Sequence, residues 1–433
     1  MSVAIYLSDT ELERIGRMPP KKTRAHHNHD APRESPTDLT GVLELPKTFL
    51  REALQRGSAS CDTIGELCNH GLVVTSSYSG TGTYEAVVHS IMALAALSLG
   101  FESPVVFYAA SDISPVARSA IAAHPETSRP IHIFGDILDR IPSGVLVDLR
   151  EIEARYLAMW ADTKAELGSG SISAKTAAAW RDKHGVEFLQ ELIPIFNTIE
   201  FRSQVHCYAH DRDCPVSPRV PRDEGGRGYD GHMWTEGAGS TCCPWSTMPR
   251  GVANAWLDEA TLPCLTWIFG LRYYQPDMFQ HECVDMFPAK QIFQSILQGT
   301  VQDVPKCVYA RPIPLEWQER LPVDDDIKDG LSSQGADSAD EMKQEWWVFT
   351  VVFGPDDIGA PTIRKRRYSI GYWLPHIRPQ SSSLDTAGFR GRFCRPLSCD
   401  ASVYLNADTS RFEMHTRMLL SQAEDGSQQS SVA

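Results

Sequence analysis

Apolar and polar positions fall into two alternating periods through the middle of the chain. Leu72 to Thr75 (LVVT) is a short unbroken apolar run, the pattern of a buried strand. Glu85 to Leu99 carries apolar residues at helical spacing and is closed by Gly100, and Val105 to Ala110 (VVFYAA) is a second buried run. These segments predict a strand–helix–strand unit. Pro115 to His124 then reads as a helix and Ile131 to Phe134 as a third strand. Strands alternating with helices imply an α/β fold, a doubly wound and mostly parallel sheet covered on both faces. Ligands of such sheets bind beyond the carboxyl ends of the strands. Asp148 to Asn197, rich in Ala, Glu and Leu at helical spacing, reads as a helical insertion ahead of the next strand at His232 to Glu236. Met278 to Val284 and Tyr368 to Tyr372 read as later strands, and Trp346, Trp347, Phe349 and Phe353 as a strand packing into core.

The pattern breaks in three places. Met18 to Asp38 is Pro-, His- and charge-rich without an apolar period, Leu321 to Glu341 is an acidic stretch between apolar regions, and the chain from Ser421 is polar; all three are expected to be disordered. The remainder has globular composition, 42% hydrophobic and 22% charged over 433 residues. A net charge of −14 makes any nucleic-acid contact a local matter rather than a property of the whole surface. The first residues, MSVAIYLSDTELERIG, place acids where a secretory signal would be apolar, and the longest apolar segment, Ile91 to Phe101, is too short to span a bilayer. The expectation is a soluble intracellular protein with no membrane partner. Eleven cysteines in such a chain read as reduced thiols, one of them a candidate nucleophile.

Chemistry-bearing residues gather at predicted strand ends. Tyr78-Ser79-Gly80-Thr81-Gly82-Thr83-Tyr84-Glu85 is a glycine turn opening a helix; it suits close approach of a nucleotide-type ligand to backbone N–H groups, and equally an ordinary tight turn. Asp112 follows the second strand, placed to accept from ribose hydroxyls, and Asp136 follows the third; each alone also reads as a helix cap. The missing third glycine disfavours a dinucleotide. Later, Gly237 to Ser246 (GAGSTCCPWS) holds Cys242 and Cys243 on a loop, where they read either as buried thiols or as a nucleophile. Glu282 lies in a strand, and Arg364, Lys365, Arg366 and Arg367 form a basic run. His206, Cys207, His210 and Cys214 are metal-type residues, but H-C-x2-H-x3-C lacks paired C-x-x-C knuckles, so no metal site is assigned.

In this order the parts resemble the S-adenosylmethionine-dependent cytosine-5 methyltransferases, over about Leu72 to Trp373. Tyr78 to Gly82 matches the F-x-G-x-G turn, Asp112 the ribose carboxylate, and Gly135-Asp136-Ile137 the element beside adenine. Thr241 to Ser246 matches the P-C-Q-x-F/W-S loop with Cys242 as nucleophile, Glu282-Cys283-Val284 the E-N-V strand, and Thr362 to Arg366 the Q-x-R-x-R segment. Thr241, Cys243, Cys283 and Thr362 depart from the pattern, and the family's last two motifs are not recognisable after Trp373. The resemblance implies a Rossmann-like methyltransferase fold with a helical insertion. It divides the chain into an arm (1–40), a cofactor-binding half (41–147), the helical insertion (148–230), a catalytic half (231–320), an acidic loop (321–343), C-terminal strands with a small irregular region (344–420) and a tail (421–433).

The resemblance also implies S-adenosylmethionine as cofactor, held by Tyr78, Gly80, Gly82, Asp112, Asp136 and Ile137. Nucleic acid is the implied partner, DNA ahead of RNA by family frequency, with a nuclear location where the substrate is genomic DNA. Cys242 would add to carbon 6 of cytosine, Glu282, partly desolvated, would donate to ring N3, and Arg364 or Arg366 would assist the thiolate. Phosphate contacts would come from the basic run and from Lys21, Lys22 and Arg24 of the arm. Two other outcomes stay open: a binding module without turnover, and an RNA methyltransferase. Cys242, Glu282 and Arg364 are expected to converge.

Overall fold

The central predicted strands are built from residues that pack on both sides. In a computed structural model, which describes residues 48, 50–52, 70–99, 105–219, 229, 232–240, 243–245, 252–293, 296–297, 346–354 and 365–373, the first strand is β1 (Leu72–Ser77), buried at every position. Helix α1 (Thr83–Leu99) leads to β2 (Val105–Ser111), and α2 (Pro115–Ala122) to β3 (His132–Phe134). Ser114 caps α2 and Pro115 opens it, where the lost N–H would have no helical partner. Two long helices follow, α3 (Ser143–Gly168) and α4 (Ala174–Thr198), then a hairpin of β4 (Gln204–Cys207) and β5 (Arg212–Pro215). The chain continues through β6 (Met233–Gly239), α5 (Thr261–Tyr274), β7 (Met278–Val284), α6 (Ala289–Phe293), β8 (Trp346–Phe353) and β9 (Arg366–Trp373).

The strands form one mixed sheet in the order β5-β4-β3-β2-β1-β6-β7-β9-β8. β3, β2, β1, β6 and β7 run parallel, whereas β4 is antiparallel to β3, and β9 to β7. Chain order reverses between β1 and β6, so the fold is α/β and doubly wound, as the alternation predicts. The chain divides into two compact units. Nearly all described residues belong to the one containing Asp62–Val352 and Arg366–Asp385; the other contributes residues 48, 50–52, 353–354 and 365. No helix among the described residues is long and apolar enough to cross a membrane.

Helix α5 explains the two long helices. It is apolar all round and buried from Thr261 to Leu271 except at Pro263, so the sheet can cover only one of its sides. Tyr156 and Trp160 of α3 and Phe188 and Phe196 of α4 join Trp267 and Phe269 of α5 and Phe279 of β7 in one apolar cluster. Phe196 stacks on Phe269 at 5.1 Å between ring centres.

Several expectations need correction. β1 extends through Ser76 and Ser77, beyond the apolar run, and β6 runs to Gly239. The β4–β5 hairpin lies in a region expected to be helical. β9 begins at Arg366, so half of the basic run belongs to a strand. The arm 1–40, the acidic loop 321–343 and the tail 421–433 lie outside the described residues, together with Lys21, Lys22 and Arg24.

Candidate functional site

At the reversal, β1 sits between β2 and β6, and the turn leaving β1 passes over the crevice where such sheets bind ligands. Tyr78, Gly80 and Gly82 have φ of 55°, 55° and 79°, left-handed backbone that folds the turn back on itself. At Gly82 an added Cβ would strike the His124 ring, whose Nε2 lies 2.8 Å from the Thr81 carbonyl oxygen. At Gly80 the same position meets nothing within 4 Å. The second glycine thus closes the turn internally, and the first leaves an open face.

Asp112 is pinned beneath that face. Its Oδ2 accepts from the Gly80 N–H at 2.8 Å and its Oδ1 from Ser114 N–H at 2.8 Å. A carboxylate has about four acceptor positions, so about two remain for a ligand's hydroxyls. The Asp136 Oδ1 accepts from Leu138 N–H at 3.0 Å, capping the short 3-10 turn Ile137–Arg140; Ile137 is buried. That turn directs Arg140 inward, where Nη2 donates to Ser111 Oγ at 2.9 Å and lies 3.4 Å from Ser77 Oγ, tying together the ends of β1 and β2. Tyr78 packs its ring on the main apolar cluster. Its hydroxyl has no partner among the described residues, and burial pushes the phenol up.

Across the crevice, β6 and β7 pair Gly239 with Glu282. Arg366 Nε donates to Glu282 Oε1 at 2.7 Å, and the guanidinium side is the more buried of the two. Arg367 donates to the Asp285 carbonyl and carboxylate, both at 2.9 Å. Glu282 is thus ion-paired, and Arg366 and Arg367 are engaged by acids. Cys242 and Arg364 lie outside the described residues. Anchors flank Cys242 in the chain: Ser240 Oγ lies 2.7 Å from His281 Nε2, and Trp245 meets Trp256 and Phe287 edge-on at 4.8 and 5.7 Å.

No protein-family model matches the chain, and no curated protein is similar to it in sequence. Solved structures overlap it only loosely. A protein described as a DNA modification methyltransferase encoded within an E. coli prophage is 13% identical with a TM-score of 0.28, covering 72% of this chain and 50% of that one. A mutant of DNMT2 from Spodoptera frugiperda is 13% identical with a TM-score of 0.27, over 72% and 54% of the two chains. The Dnmt2 methyltransferase of S. pombe is 11% identical at 0.26, over 72% and 51%. The chain therefore spans about half the length of each. Similarity this low leaves the chemistry to be read from the chain's own residues.

Three buried neighbours of these residues escaped sequence reasoning. Glu236 of β6, buried, accepts from Ser77 Oγ at 2.7 Å, from the Trp267 indole at 3.2 Å and from Thr75. Glu85, at the start of α1, accepts from Ser76, and burial pushes its carboxyl up. His281 of β7 is fully buried between Ser240 and Trp267. The available signal was the run Thr75-Ser76-Ser77 inside a central strand: three buried hydroxyls need partners.

His281 makes the site sensitive to acid. Burial pushes its imidazole down to about 3, so the unfolded chain takes the proton first. Stability is then full above the ordinary histidine value of about 6.5 and is lost as pH falls toward the folded value. Between pH 8 and pH 5 this side chain alone lowers stability by about 2 kcal/mol. Urea unfolding across that range should show a correspondingly shallower pH dependence for His281→Gln. Equal slopes in the two proteins would remove His281 from the acid response.

Proposed function

We propose that the chain transfers a methyl group from S-adenosylmethionine to carbon 5 of cytosine in nucleic acid, DNA being the favoured substrate. The observation that carries this reading is the meeting of Glu282 and Arg366, distant in sequence, at the carboxyl end of β7. There they face the strand that leads to Cys242, while the glycine turn and Asp112 occupy the neighbouring strand ends.

The residues fit the cofactor. Gly80 leaves space that a side chain would fill, and Asp112 keeps acceptor capacity for a ribose diol. Tyr78, Gly80, Gly82, Asp112, Asp136 and Ile137 would hold it, and when bound it supplies an electrophilic sulfonium methyl.

The chain's own groups do the rest. The Cys242 thiolate bonds to carbon 6 of a cytosine held outside the base stack, which makes carbon 5 nucleophilic. Glu282 takes up a proton as the base docks and passes it to N3 as electron density builds there, and Arg366 holds that carboxyl in place. Once carbon 5 has taken the methyl group, its hydrogen leaves as a proton to a base, the carbon–sulfur bond breaks to return the thiolate, and N3 gives its proton back to Glu282.

Oligonucleotides containing 5-fluorocytosine test the reading, because fluorine cannot leave as a proton and the adduct persists. With cofactor present, wild type and Cys243→Ala should form a covalent complex with DNA, and Cys242→Ala none. An adduct lost with Cys243→Ala alone would reassign the nucleophile; binding without any adduct would mark a module without turnover; trapping on RNA alone would exchange the substrate. Asp112→Ala should weaken cofactor binding by roughly 10- to 150-fold, the worth of charge-assisted hydrogen bonds of about 1.5–3 kcal/mol, as read by calorimetric titration.

A further inference from the structure

At the far edge of the sheet, remote in sequence from the thiol loop, four metal-type side chains converge. His132 opens β3, Cys207 ends β4, His210 lies in the hairpin turn and Cys214 lies in β5. One ligand atom from each falls within 4.8 Å of all the others. His210 Nδ1 is 3.4 Å from Cys207 Sγ and 3.5 Å from Cys214 Sγ, and His132 Nδ1 is 3.8 Å from Cys207 Sγ. Zinc bonds of about 2.3 Å to sulfur and about 2.0–2.1 Å to nitrogen, at tetrahedral angles, set a sulfur–nitrogen edge of about 3.6 Å. The three observed edges bracket that value.

We propose that His132, Cys207, His210 and Cys214 form a structural zinc site that fastens the β4–β5 hairpin to the parallel sheet. Hydrogen bonding alone explains the convergence poorly. His210 Nδ1 faces two sulfurs while carrying at most one proton, and Cys207 Sγ faces two imidazoles. A cation shared among four lone pairs satisfies every contact at once. Four protein ligands close the coordination shell, the mark of a structural rather than a catalytic centre.

The fold supplies both the ligands and the need. β4 and β5 share four register pairs, bringing Cys207 and Cys214 to one face, whereas β4 meets β3 at a single pair, Phe134 with Cys207. A hairpin so lightly hydrogen-bonded to the sheet gains most from a cross-link, and a short, fastened edge resists pairing with other chains. The His132 ring is already oriented, edge-on to Tyr108 at 4.8 Å and stacked on Phe134 at 5.9 Å. His206, which spacing alone would include, is excluded by strand alternation: Val205 and Cys207 point inward and His206 outward, 3.8 Å from Asp211. The clasp also reaches toward the crevice, because Tyr208 of the same turn lies over Gly135, leaving no room there for a Cβ, and carries Arg118 on its ring at 4.1 Å.

Metal analysis of the full chain, purified without added metal or chelator, tests the proposal independently of methyl transfer. One zinc per chain is expected in wild type and in His206→Ala. His210→Ala, at an exposed position, should retain at least tenfold less after dialysis against a chelator, and Cys207→Ser should behave likewise. Cobalt exchanged into wild type should give thiolate-to-metal absorption that both variants lose. Protein that takes up neither zinc nor cobalt, equal retention by all variants, or a Cys207–Cys214 disulfide in the intact mass would each overturn the site. If Cys207→Ser does not fold, His210→Ala and His206→Ala still decide between the outcomes.

Discussion

Under the proposed reaction, Glu282→Gln is expected to lower the rate of methyl transfer by a factor of about 10²–10⁴, the range for loss of a positioned general acid, and to leave cofactor affinity within about twofold. Glutamine keeps the shape of the side chain and an acceptor for the Arg366 N–H now 2.7 Å from the carboxylate, but it has no acidic proton to deliver. Single-turnover rates on a cytosine oligonucleotide, beside calorimetric cofactor titration, separate the two effects. Arg366, the more buried member of the pair, exchanges the Glu282 carboxylate for a neutral amide in this variant, so the thermal midpoint is measured alongside. A rate within threefold of wild type in a folded protein would withdraw the acid role from Glu282.

Trp267→Ala destabilises the fold by about 3–5 kcal/mol, the usual cost of removing a large buried aromatic. The indole is 1% exposed, meets Phe279 and Phe293 edge-on at 5.8 and 5.9 Å, and stacks on His281 at 5.0 Å. Its Nε1 donates to the buried Glu236 carboxylate at 3.2 Å, so the substitution opens a cavity and also strips a donor from a buried acid. Trp267→Phe keeps most of the packing and should cost about 1.5–3 kcal/mol, the worth of a hydrogen bond to a charged group. Urea unfolding at pH 7 measures both. Equal losses in the two variants would place the cost in the hydrogen bond rather than in packing.

The legible parts of the fold were those whose pattern is local. β1, β2 and β3 announce themselves as continuous apolar runs because both faces of a parallel sheet are covered, and α2 carries its own cap at Ser114. The extension of β1 through Ser76 and Ser77 was hidden, because those hydroxyls are satisfied by Glu85 and Glu236 from other elements. The pairings of the basic run were hidden for the same reason. Four adjacent charges look alike in sequence, yet Arg366 and Arg367 enter β9 and meet Glu282 and Asp285 across the β7–β9 pairing.

By itself the sequence determined the alternation of strands and helices, hence a doubly wound sheet, and the placing of the glycine turn, Asp112 and Asp136 at successive strand ends. Those features depend on backbone period and turn chemistry, which act over a few residues. Only the tertiary structure decided which side chains meet: Glu282 with Arg366, Glu236 with Trp267, and His132 rather than His206 with the hairpin's cysteines. Strand order and the two-residue alternation of facing settle such meetings, and both are fixed by pairings between segments far apart along the chain.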